Sequence, residues 1–422
     1  MFSPVTTSRR PLRTALALTL ATGLSGLLIG CAEAEASPAP APDKRLAELA
    51  QTAADTGSLG VIVRVEQGDG RLVELARQAE WTKDDHDLAA TDQFRVGSNT
   101  KSVTATLILQ LVAEHRLGLD DPVERWLPGL VPGGQDITVE MLLNHTSGLD
   151  DYLLTPDFLP SLTGQEQRVW QPGELLAITQ PQDPPTAPGE SHYYSNANYT
   201  ALGLILERAT GQSLSELIAE RITDPLGMND SFLATSGSWD PEKPHASGYE
   251  PDDERLRDIL APVVDLPEGI GFVGPERPHD NVNTTDIDPS WSWAAGGMVS
   301  TAEDWTRFLS ALMSGELLPE AQMEQMRTTV PIPDEDGDYG LGLMRKTTSC
   351  GTVWGHTGGL PGYSSEIYTD DTGQRSVAVL TSTNFGIMEA EAATANSALI
   401  DAAICDMLDE PFSATGNSAS PS

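Results

Sequence analysis

A turn followed by an apolar helix, over residues 94–114, constrains the fold of this chain more than any other stretch. After Ser98 the apolar residues Val103, Leu107 and Leu111 recur at the spacing of one helix face. The Gly-Ser pair before them is typical of a turn that opens a helix. The sequence therefore predicts a helix that begins at Ser98, with a hydroxyl group at its first position.

The same helix places a lysine beside this serine. Ser98 and Lys101 are three positions apart, so both side chains lie on one face of the helix. A helix start leaves backbone N–H groups free and carries a partial positive charge. A lysine can accept the serine proton if burial lowers its pKa. A capping serine with a surface lysine has the same spacing, so the pair becomes a candidate catalytic site only with partners elsewhere.

The overall charge excludes one large class of functions. The chain has 422 residues, enough for one large domain or two medium ones. It has 25 Lys and Arg residues and 62 Asp and Glu residues, which gives a formal net charge of -37. Such a field repels nucleic acid and anionic headgroups, so we exclude nucleic acid as a partner. We interpret the excess acidity as a solvated surface.

The N-terminal segment indicates export. Residues 1–30 combine three arginines with a short apolar run, which is typical of a secretory signal rather than a membrane-spanning helix. The run ends in Leu-Ile-Gly-Cys31, which resembles the lipobox of bacterial lipoproteins; the alternative is a plain signal peptide with an incidental cysteine. We expect a lipid anchor at Cys31 on the outer face of the cell membrane, or else a secreted protein. Residues 31–43 are predicted to be a flexible tether, and residues 413–422 a disordered tail.

Two further cysteines, Cys350 and Cys405, remain after the signal segment. Two cysteines in an exported protein commonly form a disulfide bond, so we expect these two to be paired. That bond would join a late strand to the C-terminal helix.

The strands predicted from the sequence lie towards the two ends of the domain. Two short apolar runs precede the Ser98 helix, and further runs follow residue 338 and end in a helix. This order predicts an α/β (α+β) fold in which one antiparallel sheet is built from both chain ends and flanked by helices. The domain would cover residues 44–412, with an inserted α-rich lobe at about 116–290. The predicted strands are 59–65, 71–76, 339–344, 351–359, 363–368 and 376–381.

A second candidate element is Tyr194-Ser-Asn196, just ahead of a predicted helix. A tyrosine hydroxyl near Lys101 can relay a proton to a leaving group, and an asparagine amide can hold the lysine or a substrate amide. The alternative is a packed ring followed by a turn asparagine.

A third element, His356-Thr-Gly358, lies on a predicted strand and is followed by Gly359. Glycines let a substrate backbone approach the strand closely. The Thr357 hydroxyl can donate to a carboxylate, and the N–H of Gly359 can complete an oxyanion hole with the N–H of Ser98. The alternative is a structural histidine on a strand.

The three elements in this order resemble the serine penicillin-recognising family, which includes penicillin-binding proteins and serine β-lactamases. The His-Thr-Gly form of the third motif is similar to that of secreted Streptomyces D-alanyl-D-alanine carboxypeptidases, and so is the cysteine pair. The likeness covers roughly residues 45–410, whereas the lipobox, the acidity and a longer region at 240–290 depart from it. Further matching segments are 142–149, 291–300, 310–315 and 349–358.

The resemblance implies acyl transfer. Ser98 would attack a carbonyl and form an acyl-enzyme, and Lys101, with Tyr194, would act as base and then as acid. The backbone N–H groups of Ser98 and Gly359 would stabilise the oxyanion.

The resemblance also implies a substrate-binding set. Thr357, with Arg345 or His356 as a nearby cation, would hold a terminal carboxylate. The alternative for Arg345 is a surface charge, and Trp291 either walls the cleft or belongs to the core. The predicted set is Asn196, Trp291, Arg345, His356, Thr357, Gly358 and Gly359.

The predicted activity is that of a D-alanyl-D-alanine carboxypeptidase acting on peptidoglycan peptides, with a small peptide or a β-lactam as substrate. We expect the protein to be a monomer. Esterases, D-amino-acid amidases and β-lactamases on the same fold are the enzymatic alternatives, and a penicillin-binding sensor is the non-catalytic one. The histidines lack metal-ligand spacing and no phosphate loop occurs, so we expect no metal and no cofactor.

Overall fold

The structure is a computed structural model, and it describes residues 42–412 except for 154, 180–184, 238, 263–265 and 334–336. The predicted signal segment 1–30, Cys31 and the tail 413–422 lie outside the described residues. The first helix begins at Pro42, which is inside the segment predicted as a tether. Within the described residues, every helix is too short or too polar to cross a bilayer.

The described helices vary from single turns to nineteen residues. In chain order they are α1 Pro42–Ala53, α2 Thr100–Ala113, α3 Val123–Trp126, α4 Val139–Leu143, α5 Leu159–Leu162, α6 Pro172–Ile178, α7 Asn196–Thr210, α8 Leu214–Ile218, α9 Asp224–Leu226, α10 Asp253–Leu260, α11 Trp293–Gly296, α12 Ala302–Met313, α13 Glu320–Met326 and α14 Ala390–Leu408.

The strands come from the beginning, the middle and the end of the domain. They are β1 Gly60–Gln67, β2 Leu72–Gln78, β3 Phe94–Arg95, β4 Phe232–Leu233, β5 Tyr249–Pro251, β6 Glu276–Arg277, β7 Asn281–Asn283, β8 Met298–Ser300, β9 Val330–Pro331, β10 Gly337–Tyr339, β11 Met344–Thr348, β12 Gly351–Leu360, β13 Tyr363–Thr369 and β14 Arg375–Thr381.

The main sheet has the order β2-β1-β14-β13-β12-β11-β10-β9, and every neighbouring pair is antiparallel. Strand β1 pairs with β14, for example Val63 with Val379, so the two chain ends close into one sheet. Two small three-stranded sheets, β3-β8-β4 and β5-β7-β6, lie outside it. The fold class predicted from the sequence is confirmed.

Alternate residues of β1 pack against different helices. Val61, Val63 and Val65 join the apolar cluster of α1 and α14, whereas Ile62 joins the larger cluster that includes α2 and α12. A sheet covered by helices on both faces needs strands that are apolar throughout, which explains the uninterrupted Val-Ile-Val run in β1.

Helix α2 differs in two ways from the predicted helix. It begins at Thr100, because Gly97–Asn99 form a single 3-10 turn that contains Ser98. It is also buried on nearly all sides, from Thr100 to Leu109. A helix surrounded by the core carries no solvated face, so the lysine one turn into it is enclosed by protein.

The region at 240–290 is not simply α-rich. It contributes helix α10 together with the three-stranded sheet β5-β7-β6. Elsewhere in the predicted lobe, α3 to α9 are short helices with irregular connections.

The cysteine pair has the spacing of a disulfide bond. Cys350, in the turn before β12, and Cys405, on α14, have their Cα atoms 5.2 Å apart and their sulfur atoms at bonding distance. The chain positions agree with the predicted link between a late strand and the C-terminal helix.

Candidate active site

Ser98 is held against strand β12 by the glycine before it. Gly97 has φ +54°, a left-handed conformation that favours glycine. A Cβ at Gly97 would lie 2.6 Å from the nitrogen of Gly359 and 3.0 Å from the carbonyl carbon of Gly358. The turn that carries Ser98 therefore touches the backbone of the third motif, more than 250 residues later in the chain.

Lys101 lies at the centre of the site and has no exposed surface. Its Nζ is 3.0 Å from Ser98 Oγ, 2.8 Å from Asn196 Oδ1 and 2.8 Å from the carbonyl oxygen of Ala295. Burial lowers the pKa of Lys101 to about 7, and the nearby Asp151 acts in the opposite direction. A large fraction of this amine is therefore uncharged at neutral pH.

The hydrogen bonds of Lys101 also determine where its lone pair points. The Asn196 amide oxygen and the Ala295 carbonyl can only accept. An uncharged amine has two N–H bonds, and these two oxygens use both of them. The remaining lone pair then faces the third neighbour, the Ser98 hydroxyl, which is the geometry of a base that removes the serine proton.

Tyr194 covers the lysine. Its ring centroid is 4.8 Å from Lys101 Nζ, and its ring stacks on the imidazole of His145 at 4.3 Å. Burial raises the pKa of Tyr194 well above its ordinary value, although hydrogen bonding with Ser98 opposes this rise. The phenol therefore keeps its proton and can pass it on through the serine oxygen or the leaving group.

Asn196 connects the lysine to a carboxylate. Its Oδ1 accepts from Lys101 Nζ, and its Nδ2 donates to Asp151 Oδ2 at 2.8 Å. The N-terminus of helix α7 begins at this residue, so the amide is fixed to a regular element.

The third motif forms an open edge of the sheet. The pairing of β11 with β12 ends at Gly355, whereas β13 continues alongside β12 up to Leu360. Among the described strands, residues 356–360 therefore have a neighbour on one side only. A Cβ at Gly358 would lie 2.0 Å from the Val96 carbonyl oxygen, so the segment that leads into the Ser98 turn packs closely against one face of this strand. Backbone groups at this edge are available to a substrate.

His356 does not supply the cation suggested by the resemblance. It is buried, its Nε2 is 2.8 Å from the Tyr339 hydroxyl, and its Nδ1 is 2.5 Å from the Thr357 carbonyl oxygen. Burial lowers the pKa of His356 to about 3, so the imidazole is neutral at physiological pH. Its contacts connect β12 to Tyr339 of β10.

Arg345 is already paired with a carboxylate. Its Nε donates to Asp338 Oδ2 at 3.0 Å, and Nη2 contacts the same oxygen. Arg345 nevertheless lines a cavity of about 430 Å³ together with Thr357 and Lys346. The residue is thus near the third motif, but a substrate carboxylate would have to compete with Asp338.

Trp291 belongs mainly to the core. It is 4 % exposed and meets Phe158 edge-on, with ring centroids 5.2 Å apart. Its outer edge lines a separate cavity of about 480 Å³, which residues 161–169 and 273–288 also border. Ser98 does not line that cavity, so the core alternative fits better than a wall beside the nucleophile.

Several groups at this site were not singled out from the sequence. His145 lies in the segment 142–149 that matched the family and Asp151 lies two positions after it, so the match of this segment was a usable signal. The Ala295 carbonyl had no such signal, because every residue carries one. Within the described residues, no group of three or more His, Cys, Asp or Glu side chains is arranged to hold a metal ion.

The sequence profile of the Beta-lactamase family matches residues 45–402, and the chain belongs to this family. This is the family that the three motifs resemble, and it includes β-lactamases and penicillin-binding proteins.

The names of individual relatives in this family indicate different activities. The chain is 29% identical over 310 residues to Penicillin-binding protein 4* of Bacillus subtilis (strain 168), covering 72% of this chain and 64% of that protein. It is 35% identical over 248 residues to Esterase EstB of Burkholderia gladioli, covering 56% and 60%. The chain thus spans about three fifths of the length of these two relatives.

Among solved structures, the chain is similar to a D-stereospecific amidohydrolase from Streptomyces sp. The sequence identity is 33% and the TM-score 0.69, and the match covers 82% of this chain and 98% of the other.

Proposed function

We propose that the protein hydrolyses amide or ester bonds through an acyl-enzyme at Ser98, with Lys101 as the base. The observation that carries this proposal is the enclosure of Lys101, whose three polar neighbours are Ser98 Oγ and two oxygens that can only accept. An enclosed, uncharged amine next to a hydroxyl is an activated nucleophile pair.

The proposed reaction has two halves. Ser98 Oγ attacks the carbonyl carbon while its proton passes to Lys101 Nζ, and the N–H groups of Ser98 and Gly359 stabilise the oxyanion. When the tetrahedral intermediate collapses, Lys101 returns the proton, with Tyr194 as relay, to the departing nitrogen or oxygen. Water then attacks the acyl-enzyme by the same route and releases the acid and free Ser98.

For the substrate, we propose an amide or peptide of a D-amino acid with an uncharged leaving group. The two cationic side chains near Thr357 support this choice, because each already has a carboxylate partner within the protein. Arg345 is bound to Asp338, and Lys346 Nζ lies 3.7 Å from Glu366 Oε2. The formal net charge of -37 also disfavours the approach of anionic substrates. The similarity to a D-stereospecific amidohydrolase supports the same class.

D-alanyl-D-alanine carboxypeptidase activity is the second candidate. It is favoured by the cavity that Thr357 shares with Arg345 and Lys346, since two cationic side chains and one hydroxyl donor line the same cavity. The ion pair of Arg345 is exposed, and exposed pairs contribute only about 0–1 kcal/mol, so a substrate carboxylate can displace Asp338.

A matched pair of substrates separates these candidates. Acetyl-D-Ala-D-Ala would be offered with a free C-terminal carboxylate and with a carboxamide. An amidase-type enzyme turns over the carboxamide at least as fast as the acid. A carboxypeptidase prefers the acid by roughly tenfold or more, and Arg345→Gln removes that preference.

The nucleophile is tested independently of the substrate. Intact-mass spectrometry after incubation with a p-nitrophenyl ester and with benzylpenicillin reports any covalent adduct. The proposal expects an acyl adduct that Ser98→Ala abolishes. Rapid turnover of the penicillin adduct would favour β-lactamase activity, turnover of esters alone would favour an esterase, and a stable penicillin adduct without hydrolysis of any substrate would favour a sensor.

A further inference from the structure

The side-chain amide of Asn196 makes hydrogen bonds through both its oxygen and its nitrogen. Its Oδ1 faces Lys101 Nζ at 2.8 Å, and its Nδ2 donates to Asp151 Oδ2 at 2.8 Å. Asp151 is itself fixed, because one of its oxygens accepts the backbone N–H of Leu153 at 3.2 Å and the other is 3.4 Å from the backbone nitrogen of Asn196. The carboxylate therefore has a defined direction with respect to the amide.

An amide side chain fits such a position in two orientations that differ by a half turn. In one orientation the oxygen faces Lys101, and in the other the NH₂ group does. The second places two donors against each other and leaves the lysine with one acceptor fewer. An ionised carboxylate can only accept hydrogen bonds, so it permits only the first orientation.

We propose that Asp151 is a positioning residue, which holds the Asn196 oxygen towards Lys101 and thereby aims the lysine lone pair at Ser98. This inference rests on the proposed role of Lys101 as the base. It extends that role to a residue that touches neither the substrate nor the reacting atoms.

The charge of Asp151 has a second effect on Lys101. Burial lowers the pKa of Lys101, and the Asp151 carboxylate raises it. The other titratable groups that face this amine are the rings of Tyr194 and Tyr199, at 4.8 and 5.4 Å, and two imidazoles. Burial lowers the pKa of both imidazoles, His145 and His356, and raises that of both phenols, so all four are uncharged at neutral pH. Burial raises the pKa of Asp151, whereas hydrogen bonds from Leu153 and Asn196 and the charge of Lys101 lower it. In its ionised form, Asp151 is the neighbour whose removal changes the field at Lys101.

The test uses Asp151→Asn, which keeps the shape and an acceptor for Leu153 but can present a donor to the Asn196 oxygen. The readout is kcat/KM for a p-nitrophenyl ester across pH. We expect the plateau value to fall by about 10- to 100-fold, the effect of a mismatched buried hydrogen bond. The acid limb should move to lower pH by about 0.5 to 2 units, because losing a negative charge disfavours the protonated lysine.

The Asp151→Asn change is then repeated in a protein that also carries Asn196→Ala, in which no amide remains to be oriented. There the Asp151→Asn change should alter the plateau by less than about twofold, because effects that act through one residue are not additive. Equal losses in both backgrounds, or no loss in either, would overturn the positioning role. An unmoved acid limb would overturn the electrostatic part.

Asp150→Asn is the matched control, since it removes the same charge one position away. The Asp150 carboxylate accepts from the Tyr193 hydroxyl and from the backbone N–H of Asp151, and among the described residues no hydrogen bond joins it to Asn196. This control should keep wild-type kcat/KM. If Asp151→Asn does not fold, as judged by circular dichroism, Asp151→Ala carries the same expectation.

The two proposals fail in different ways. Absence of a Ser98 adduct in the wild-type protein would remove the proposed function. A wild-type adduct with an unchanged plateau in the Asp151 variants would remove this inference alone.

Discussion

The carboxylate of Glu250 accepts the backbone N–H of Gly362 at 2.6 Å, across 112 residues of chain. The same buried carboxylate accepts from the backbone nitrogens of Asn384 and Phe385 and from the Thr383 hydroxyl. Gly362 lies in the turn that follows β12, directly after the open edge at 356–360. The longer region at 240–290 is thus anchored to the strand that carries the third motif.

Removing this carboxylate should destabilise the protein. Glu250→Ala leaves four buried or half-buried donors without this partner, and we expect the free energy of unfolding to fall by about 3 kcal/mol. Urea denaturation followed by tryptophan fluorescence measures the change. Glu254→Ala, at an exposed position of α10, is the control and should change it by less than about 0.5 kcal/mol.

The Glu250 effect should also depend on pH. Burial raises the pKa of Glu250 from 4.5 to about 7, so the folded protein binds a proton that the unfolded chain has lost. The stability gap between wild type and Glu250→Ala should therefore shrink as pH rises from about 4.5 to 7, by up to about 3 kcal/mol. A gap that widens over this interval would contradict the raised pKa.

Activity should follow the ionisation of Lys101. Burial lowers its pKa to about 7, and only the uncharged amine can accept the Ser98 proton. We expect kcat/KM to rise about tenfold per pH unit below pH 7 and to level off above it. A pH–rate profile with an ester whose own charge does not change in this range provides the measurement. An acid limb near 10 would mean that Lys101 is not the base, or that it is solvated during turnover.

The hydroxyl of Tyr194 should matter for catalysis and not for folding. Tyr194→Phe keeps the ring that stacks on His145 and removes only the proton relay. We expect kcat to fall by about 10²- to 10⁴-fold with an unchanged circular dichroism spectrum. The neighbouring Tyr193→Phe, whose hydroxyl donates to Asp150, should stay near wild type. Activity above half of wild type in Tyr194→Phe would assign the relay to another group.

The cysteine pair should stabilise the domain. Closing the 55-residue loop between Cys350 and Cys405 contributes about 4 kcal/mol in the chain-entropy description. The double variant Cys350→Ala/Cys405→Ala should lose that amount in chemical denaturation. Wild-type protein treated with a reductant should match the variant, and intact mass before and after reduction reports the bond. Identical midpoints for all samples would speak against a bond in solution.

Localisation depends on residues that the structure does not describe, and we propose that Cys31 carries the membrane anchor. Cys31→Ala should move the protein from the membrane fraction to the soluble or secreted fraction, because a diacylated cysteine adds a strong apolar attachment. Membrane fractionation with immunodetection measures the distribution. An unchanged membrane share would leave the lipobox interpretation without support.

Much of the candidate site was visible as local patterns. Ser98 and Lys101 are one helical turn apart, and that spacing places them together in any helix. The order of strands and helices predicted a sheet closed by both chain ends, and the pairing of β1 with β14 has that form. The glycines around Thr357 were interpreted as room for a substrate backbone, which stays a prediction; the structure shows that the turn at Gly97 also approaches them closely.

One prediction about the charge around the cleft is wrong, and another stays a prediction. His356 was offered as a cation, and its burial against Tyr339 makes it neutral. Arg345 as a substrate cation stays a prediction, because the sequence does not specify its pairing with Asp338. Position in a strand can be read from periodicity, whereas protonation and ion pairing depend on atoms that distant segments bring into contact.

Lys101 shows most clearly which properties the sequence determines and which depend on the tertiary structure. Residue type and spacing alone supply a hydroxyl and an amine on the same helix face. The reactivity of that amine comes from the folded chain, because its lowered pKa requires burial on all sides. The direction of its lone pair likewise requires oxygens from Asn196 and Ala295, each almost 100 or more residues away along the chain. Hydrogen-bond direction and desolvation are properties of a three-dimensional environment, and a one-dimensional pattern specifies neither.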